Sequence, residues 1–591
     1  MTTVKNIFFL IISLLILNSI AYSNEDVNSQ EWKNDWSILK GFSLTKDTTG
    51  YQYPTIIKFV ENPGSNPNDA LYYVLELQGK VKVITNDRTV YTFAENFLPV
   101  PLKETFDPYG AAGMCLDSES GDIFVTFSYF DDKSFTQKNA MIKFKTNSKV
   151  FGLKPSSEEL FLDLFANEVA HGDHQIGPCE VLDDQLFVSV GYGNDKSESQ
   201  NIKTTLGSIL RMKLNFEPFD DNPFYLNDNI KTAEDYIWAY GVRNVFGLKS
   251  FEGRLFATEN GGNIDRFNEI KKGENYLWDG TDWSVAARAD YIFSPSVAPV
   301  QLDIMDQESS IFPTKYNRKF FVALSGLPAG NGPGRQGERS VIMLDYDMNN
   351  NRINSPPSYF MKYSGSGLQL PVNLSFGPDG LYILPLFPDN SGEGFVLKAE
   401  YSPDSLYPNN LSNRTAKELI NDLGCMQCHE IEGKGGQYAK VLDVKAIKSI
   451  NKRINSQEYI DQVEKIDAIN NQFTNKYRAA RHEVLDAPPT KQKTLLWLSS
   501  YIREPKFDDL QAKMPKFDIT EDESMRIAKY LLKIGTENQT TDNSFLNQIR
   551  YKVLLWIPEL RYRHILFTFI FGIAFTILGL FIYRRIIKGS K

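Results

Sequence analysis

The sequence predicts an all-β six-bladed β-propeller, then a small all-α domain, then one C-terminal transmembrane helix. Three observations carry this. Seven short apolar or alternating runs are spread over residues 71–401, a mostly helical texture replaces them from about residue 410, and an uncharged stretch lies near the C-terminus. The composition agrees: of 591 residues, 42% are hydrophobic and 23% charged, which is ordinary globular usage. Aromatics at 13%, with 39 Gly and 28 Pro, suit many short strands joined by tight turns. A net charge of −9 without a basic stripe argues against nucleic acid as a partner.

The first element is an export signal. Residues 7–17 (IFFLIISLLIL) are apolar except for Ser13, preceded by Lys5 and followed by Ala21-Tyr22-Ser23, the small-x-small form of a signal peptidase site. Residues 1–23 therefore read as a signal peptide. An uncleaved anchor is the alternative, although the run is short of the roughly 20 residues a membrane span needs. Either way the body of the protein leaves the cytoplasm.

Residues 35–402 read as the propeller. The runs at 71–85, 121–130, 184–193, 253–262, 319–326 and 379–387 repeat a loose theme of Asp or Gly followed by Leu-aromatic-Val, starting roughly 50 to 70 residues apart. Four-stranded blades produce that spacing, about six of them in this length. Two β-sandwiches are the structural alternative.

Residues 410–536 form the second domain. Arg414 to Leu423 reads as a short amphipathic helix ending at Gly424, and Cys425-Met426-Gln427-Cys428-His429 follows. This CxxCH motif attaches haem c: two thiols three positions apart reach the two vinyl groups, and His429 supplies an iron ligand. A zinc site would need two further ligands, and no second Cys pair exists. Downstream, Glu521 to Ile534 carries a helical apolar stripe at Met525, Ile527, Ala528, Leu531 and Leu532. The order of helix, CxxCH, Met-Pro loop and closing helix resembles a class I cytochrome c. The resemblance implies Met514, in Met514-Pro515, as the sixth iron ligand; His482 is the rival. Residues 440–500 are expected to add helices. A haem with both axial positions filled moves single electrons and does no substrate chemistry.

The last element, Ile565 to Tyr583, has 19 residues without a charge, bounded by Arg561 and Arg563 on one side and Arg584 and Arg585 on the other. With an exported body it reads as a single-pass transmembrane helix whose tail is cytoplasmic. That places the protein on the periplasmic face of the bacterial inner membrane.

A family resemblance rests on the propeller residues. The stretch 238–248 (WAYGVRNVFGL), then 255–262 (LFATENGG), Asp265, Asn268-Glu269-Ile270 and 273–278 (GENYLW) closely resembles the glucose/sorbosone dehydrogenases. So do Gly207-Ser208-Ile209-Leu210-Arg211, Asp221-Asn222-Pro223-Phe224 and 376–382 (FGPDGLY). The resemblance covers most of residues 45–400 and implies a six-bladed propeller that binds pyrroloquinoline quinone and calcium and oxidises a sugar, polyol or alcohol. It implies His174 as the general base, with His171 nearby as a substitute. It implies Arg243 over the quinone, Asn244 beside it, and Asn260, the carbonyls of Gly261 and Gly262, and Asp265 holding calcium and one cofactor edge. An imidazole is suited to accept a proton near neutral pH, and oxygen ligands suit calcium. A plain Asx-Gly turn is the other reading of the Asn260 segment.

Three positions depart from the family pattern. Gly191-Tyr192 stands where the family has Gly-Asp, so the carboxylate that orients the imidazole is missing, with Asp195 as its replacement. Arg266 stands where an acid follows the calcium aspartate. Leu370 stands where an arginine meets the cofactor carboxylates, leaving Lys362, Arg335 or Arg339 as substitutes. The expected function is a membrane-anchored quinohaemoprotein dehydrogenase passing electrons through haem c to a respiratory acceptor. The alternative is a non-catalytic docking propeller carried on an electron-transfer cytochrome. Of the four cysteines, Cys115 and Cys179 are left either as a disulfide or as two buried thiols.

Overall fold

A computed structural model describes residues 32–534 apart from 102–108, 147–149, 166–167, 169–173, 229, 295, 306–310, 327–338, 355–356, 390–391, 410, 412–413, 437 and 518. The expected signal peptide and transmembrane helix, together with His171 and Arg335, lie outside the described residues. Among the described residues no helix is long and apolar enough to cross a membrane.

Six antiparallel sheets, each built on four consecutively hydrogen-bonded strands, follow one another along the chain. Their inner strands are Pro54–Phe59, Ala111–Leu116, Ile176–Leu182, Val245–Phe251, Pro299–Ile304 and Pro371–Phe376, for blades 1 to 6. Each inner strand packs against those of its two neighbours, and the sixth returns to the first, so the ring is closed. Closure is made by the chain's beginning. Phe42–Tyr51 pairs with Gly394–Tyr401 as the outer strand of blade 6, joining the N-terminal and C-terminal ends of the propeller in one sheet. Blade 5 gains an extra edge strand from Trp36–Ile38.

The repeated theme of the sequence is the second strand of every blade. Ala70–Glu76, Gln185–Val190, Arg254–Glu259, Lys319–Leu324 and Leu381–Pro385 are buried along nearly their whole length, because neighbouring blades cover both faces. That is why these strands read as continuous apolar runs rather than strict alternations.

The inner strands run parallel around the ring, since equivalent positions meet: Ile57 N donates to Asn373 Oδ1, and Leu248 N to Gln301 Oε1. The ends where inner strands begin form the upper face, and the ends where they finish form the lower. At the lower end Lys58 lies 3.1 Å from Glu180, Lys249 lies 3.0 Å from Asp303, and Lys249 lies 3.8 Å from Glu180. Burial alone would raise the Glu180 carboxyl, but Lys58 and Lys249 outweigh it and hold the group below its usual range. This alternating chain of charges ties blades 1, 3, 4 and 5 together across the channel.

Cys115 and Cys179, on the inner strands of blades 2 and 3, form a disulfide with a sequence separation of 64. Replacing either cysteine by serine is expected to cost about 2–5 kcal/mol of stability, read as a lower midpoint in denaturant unfolding. A non-reducing peptide-mass measurement showing free thiols at Cys115 and Cys179 would remove the basis of that expectation.

The second domain is helical. Ala416–Asp422 and Glu521–Ile534 pack together, with Val444–Ile454, Gln457–Ile469, Arg478–Asp486 and Lys491–Arg503 between them in the chain. The linker lies along the propeller: Ile38 N donates to the Asn409 carbonyl, Tyr407 Oη to that of Trp36, and Leu411 is buried.

Candidate active site

On the upper face, the residues just before the inner strands of blades 3 and 4 meet. His174 and Gln175 precede Ile176; Arg243 and Asn244 precede Val245. Backbone hydrogen bonds join these loops through the turn after Gln185–Val190. Gly191 N donates to the Gln175 carbonyl at 2.8 Å, Tyr192 N to that of Arg243 at 2.9 Å, and Gly193 N to that of His174 at 2.9 Å. Gly191 is required here, because a Cβ would lie 2.8 Å from both the His174 carbonyl oxygen and Asn244 Oδ1.

Aromatic rings surround the charged groups. The His174 and Tyr192 ring centroids are 4.9 Å apart, and those of Tyr192 and Trp278 are 5.8 Å apart. The Arg243 guanidinium lies 5.7 Å from the Tyr192 ring and 5.6 Å from that of Trp278, in reach of both π faces. Its Nη1 donates to the Asn260 carbonyl at 2.7 Å, and its backbone N to Glu259 Oε1 at 2.5 Å. Asn260 N in turn donates to the Asn244 carbonyl at 3.0 Å. Asn260 Oδ1 and Trp278 Nε1 are buried without a hydrogen-bond partner among the described residues. An unused acceptor and an unused donor beside a guanidinium make a cradle suited to a flat, polar, anionic ligand, since buried polar groups left unmade are costly.

Glu259 and Trp278 both lie inside motifs that carry the family resemblance, yet neither has an evident role in the sequence alone. Glu259 lies on a strand buried from both sides, where an acid demands a partner. That partner is Arg266: its Nε sits 2.7 Å from Glu259 Oε2, with side-chain exposures of 0% and 1%. Arg266 Nη1 also donates to the Tyr276 and Val285 carbonyls. The departure at Arg266 therefore lies inside blade 4 and supports the Arg243 loop from below, rather than altering the charge lining the site. Glu259→Ala is expected to cost about 3–5 kcal/mol, because it strands a buried guanidinium; thermal unfolding checks this. A loss below about 1 kcal/mol would show the pair is solvated.

Other expectations change too. Asp265 is fully buried, and its carboxylate accepts from Gly261 N at 2.9 Å, Val297 N at 2.7 Å and Ala298 N at 2.9 Å. Burial raises its carboxyl above the usual range against the pull of those amides. Its oxygens staple the turn after Asn260, which leaves the Gly261 and Gly262 carbonyls and Asn260 Oδ1 as the oxygens of the expected cation set. Asp195 does not orient His174: it is exposed and accepts from Ser197 N and Oγ, while Tyr192 packs on the imidazole. Leu370 is buried core. Lys362 pairs with Asp422, and Arg339 donates to the Gly367 carbonyl.

In the helical domain, Thr415 and Glu418 form a capping box that starts Ala416–Asp422. Gly424, with φ 66°, turns the chain into Cys425–Cys428, a single helical turn. His429 follows in extended backbone, with its Nδ1 2.7 Å from the Lys440 carbonyl oxygen. A carbonyl there fixes the tautomer with the proton on Nδ1, so the lone pair for a metal is on Nε2. The loop folds back: Gly436 N donates to the Met426 carbonyl and Ala439 N to that of Cys428. Cys425 is shielded, and burial pushes its thiol up to about 11, whereas Cys428 is exposed. Cys425, Met426 and Met514 pack against one apolar cluster. His482 is engaged elsewhere, its Nε2 2.7 Å from Asp467 Oδ2. Among the described residues no group of three or more His, Cys, Asp and Glu side chains is arranged to hold a metal ion.

Residues 67–300 match the family model described as Glucose / Sorbosone dehydrogenase. An uncharacterized protein of Synechocystis sp. is 30% identical over 195 residues, 29% of this chain and 44% of that protein. Aldose sugar dehydrogenase YliI of Escherichia coli is 32% identical over 103 residues, 17% of this chain and 27% of that protein. The matched stretches thus span less than half the length of these curated relatives. Among solved structures, the apo-form of the soluble aldose sugar dehydrogenase from Escherichia coli is 18% identical with a TM-score of 0.48, covering 61% of this chain and 99% of that one. The PQQ-bound aldose sugar dehydrogenase from Streptomyces coelicolor is 17% identical with a TM-score of 0.44, covering 62% and 100%. Over residues 67–300, which carry His174, Arg243 and Trp278, the propeller is similar to the glucose/sorbosone dehydrogenases.

Proposed function

We propose that the protein is an oxidoreductase that oxidises a hydroxyl of an aldose, polyol or related alcohol on the upper face of its propeller and sends the electrons out through haem c. The observation that carries this is the Arg243 cradle: a guanidinium flanked by Tyr192 and Trp278, beside His174, with Asn260 Oδ1 and Trp278 Nε1 unpaired among the described residues. These residues fit pyrroloquinoline quinone, an aromatic polyanion. Bound there, the quinone would supply the two-electron acceptor that no side chain provides. The work left to this chain is positional and acid-base. Tyr192 and Trp278 exclude water and hold a flat ring, Arg243 offers its positive charge to carbonyl or carboxylate oxygen, and a ring nitrogen of His174 takes the hydroxyl proton as the substrate carbon gives up its hydride. Asn244 fixes the Asn260 segment. Asn260 Oδ1 with the Gly261 and Gly262 carbonyls is the oxygen set for calcium.

Cys425 and Cys428 would hold haem through two thioethers, and His429 and Met514 would be the residues offered to its iron; the Nδ1 contact of His429 and the apolar cluster shared by Cys425 and Met514 fit that role. Haem held there would supply a one-electron carrier, so a two-electron oxidation would need two passages to a respiratory one-electron acceptor. The Cys115–Cys179 disulfide supports export, with residues 1–23 as leader and 565–583 as anchor in the inner membrane.

Tyr192 and Leu370, in place of charged groups, favour the second reading, a docking propeller without catalysis. Titration calorimetry of the quinone with calcium into the full chain separates the two. Micromolar or tighter binding that weakens in Arg243→Ala supports the dehydrogenase; no detectable heat supports the docking propeller.

A further inference from the structure

The second domain is seated on the propeller by a chain of largely buried charges. Lys362 Nζ lies 3.0 Å from Asp422 Oδ1, Asp422 Oδ2 lies 3.0 Å from Arg414 Nη1, and Arg414 Nη2 lies 2.7 Å from Glu523 Oε1. The Lys362 ammonium and the Arg414 guanidinium stand 5.3 and 5.8 Å from the Tyr359 ring. The Arg414, Asp422 and Glu523 side chains are only 12, 6 and 8% exposed, so water screens these pairs poorly. Tyr359 and Lys362 belong to the fourth strand of blade 5, Ser358–Tyr363, whereas Asp422 and Glu523 belong to the first and last helices of the second domain.

Strand direction tells which rim is involved. The inner strand of blade 5 starts at the upper face, and each neighbour in the sheet is antiparallel to the one before. Its fourth strand, Ser358–Tyr363, therefore runs toward the upper face and brings Lys362 to that end, the same face as His174 and Arg243. On the other side, Asp422 ends the helix that passes through Leu423 and Gly424 directly into Cys425. The charged seam thus lies between the upper rim of blade 5 and the start of the Cys425–Cys428 turn.

We propose that Tyr359, Lys362, Arg414, Asp422 and Glu523 form an electrostatic latch that holds the CxxCH domain against the upper rim of blade 5, and that the partner of this propeller surface is the chain's own second domain. The linker is fixed separately, through Tyr407, Asn409 and Leu411, so breaking the latch lets the domain pivot without releasing it. What the latch does for electron transfer rests on the proposed function; the latch itself does not.

Hydrogen–deuterium exchange on the full-length protein as purified tests it. Lys362→Glu sets like charges against Asp422, and exchange in segments 358–363 and 416–422 is expected to quicken at least about tenfold, with the inner strands of blade 5 still protected. Lys362→Arg is expected to exchange like the parent. Raising salt on the parent protein is expected to loosen the same two segments progressively. Parent-like exchange at both segments in Lys362→Glu overturns the latch. If that variant loses protection at Pro299–Ile304 as well, the salt series decides, and its failure to loosen the two segments overturns the proposal. Absence of covalent haem in the same sample would count against the electron-carrier reading and leave the exchange result standing.

Discussion

Replacing Cys425 and Cys428 together by serine is expected to leave the chain with no covalently bound haem. Peroxidase staining after denaturing electrophoresis and the alkaline pyridine spectrum of the purified protein read this directly. Both thiols sit on one helical turn, so each single substitution leaves one thioether and an altered spectrum, and only the pair abolishes attachment. The unmodified turn holds Cys425 against the cluster of Leu419, Ile527, Ala528 and Leu531, and that burial pushes the thiol up to about 11. A variant without haem is expected to lose helical content in 416–534 as well. Met514→Ala keeps the covalent bonds and removes only the thioether ligand, so it is expected to retain the stain, lower the potential and open the iron to added imidazole. A chain that carries no haem even with both cysteines intact, when made in a host competent for haem attachment, would refute the assignment.

The second large effect falls on His174. His174→Ala in protein loaded with quinone and calcium is expected to lower kcat/KM by about 10² to 10⁴, the range for loss of a positioned general base, while quinone affinity stays close to the parent's. Arg243→Ala is expected to behave oppositely, losing affinity first, because the guanidinium bridges the Asn260 carbonyl and the two rings that frame the cradle. Arg243→Lys restores the charge without the planar fork and is expected to recover only part of the loss. Ferricyanide reduction with excess aldose, alongside calorimetry on each variant, separates the roles. Equal effects of both substitutions on binding would mean that His174 is part of the cradle wall and not the base.

The sequence showed the propeller because its second strands are buried by blades on both sides, so six apolar runs recur at blade spacing. Closure of the ring by Phe42–Tyr51 against Gly394–Tyr401 has no such signature, since pairing across the whole length of a domain leaves no local pattern. The Cys115–Cys179 bond was open for the same reason: it depends on two inner strands being neighbours in the ring. His174, Asn244 and Arg243 were legible as motif positions, and the structure brings their loops together. For Arg266 and Asp265, motif position alone says nothing of direction. One turns into blade 4 to meet Glu259, and the other turns under the loop to collect three amides. Asp195 was chosen for its charge and nearness in sequence, yet the backbone turn at Gly193 and Asn194 carries it into solvent. In the second domain the CxxCH turn was plain from spacing, whereas the Lys440 carbonyl that sets the His429 tautomer comes from a loop whose path sequence does not dictate.

The most direct test of the whole account is the visible spectrum of the purified, full-length protein, loaded with pyrroloquinoline quinone and calcium and kept free of oxygen, as an aldose or polyol is added. The haem bands are expected to shift from oxidised to reduced with no added mediator, and the shift is expected to be lost in His174→Ala. Haem that stays oxidised across a broad panel of sugars, polyols and alcohols, in protein shown by calorimetry to hold the quinone, would contradict it.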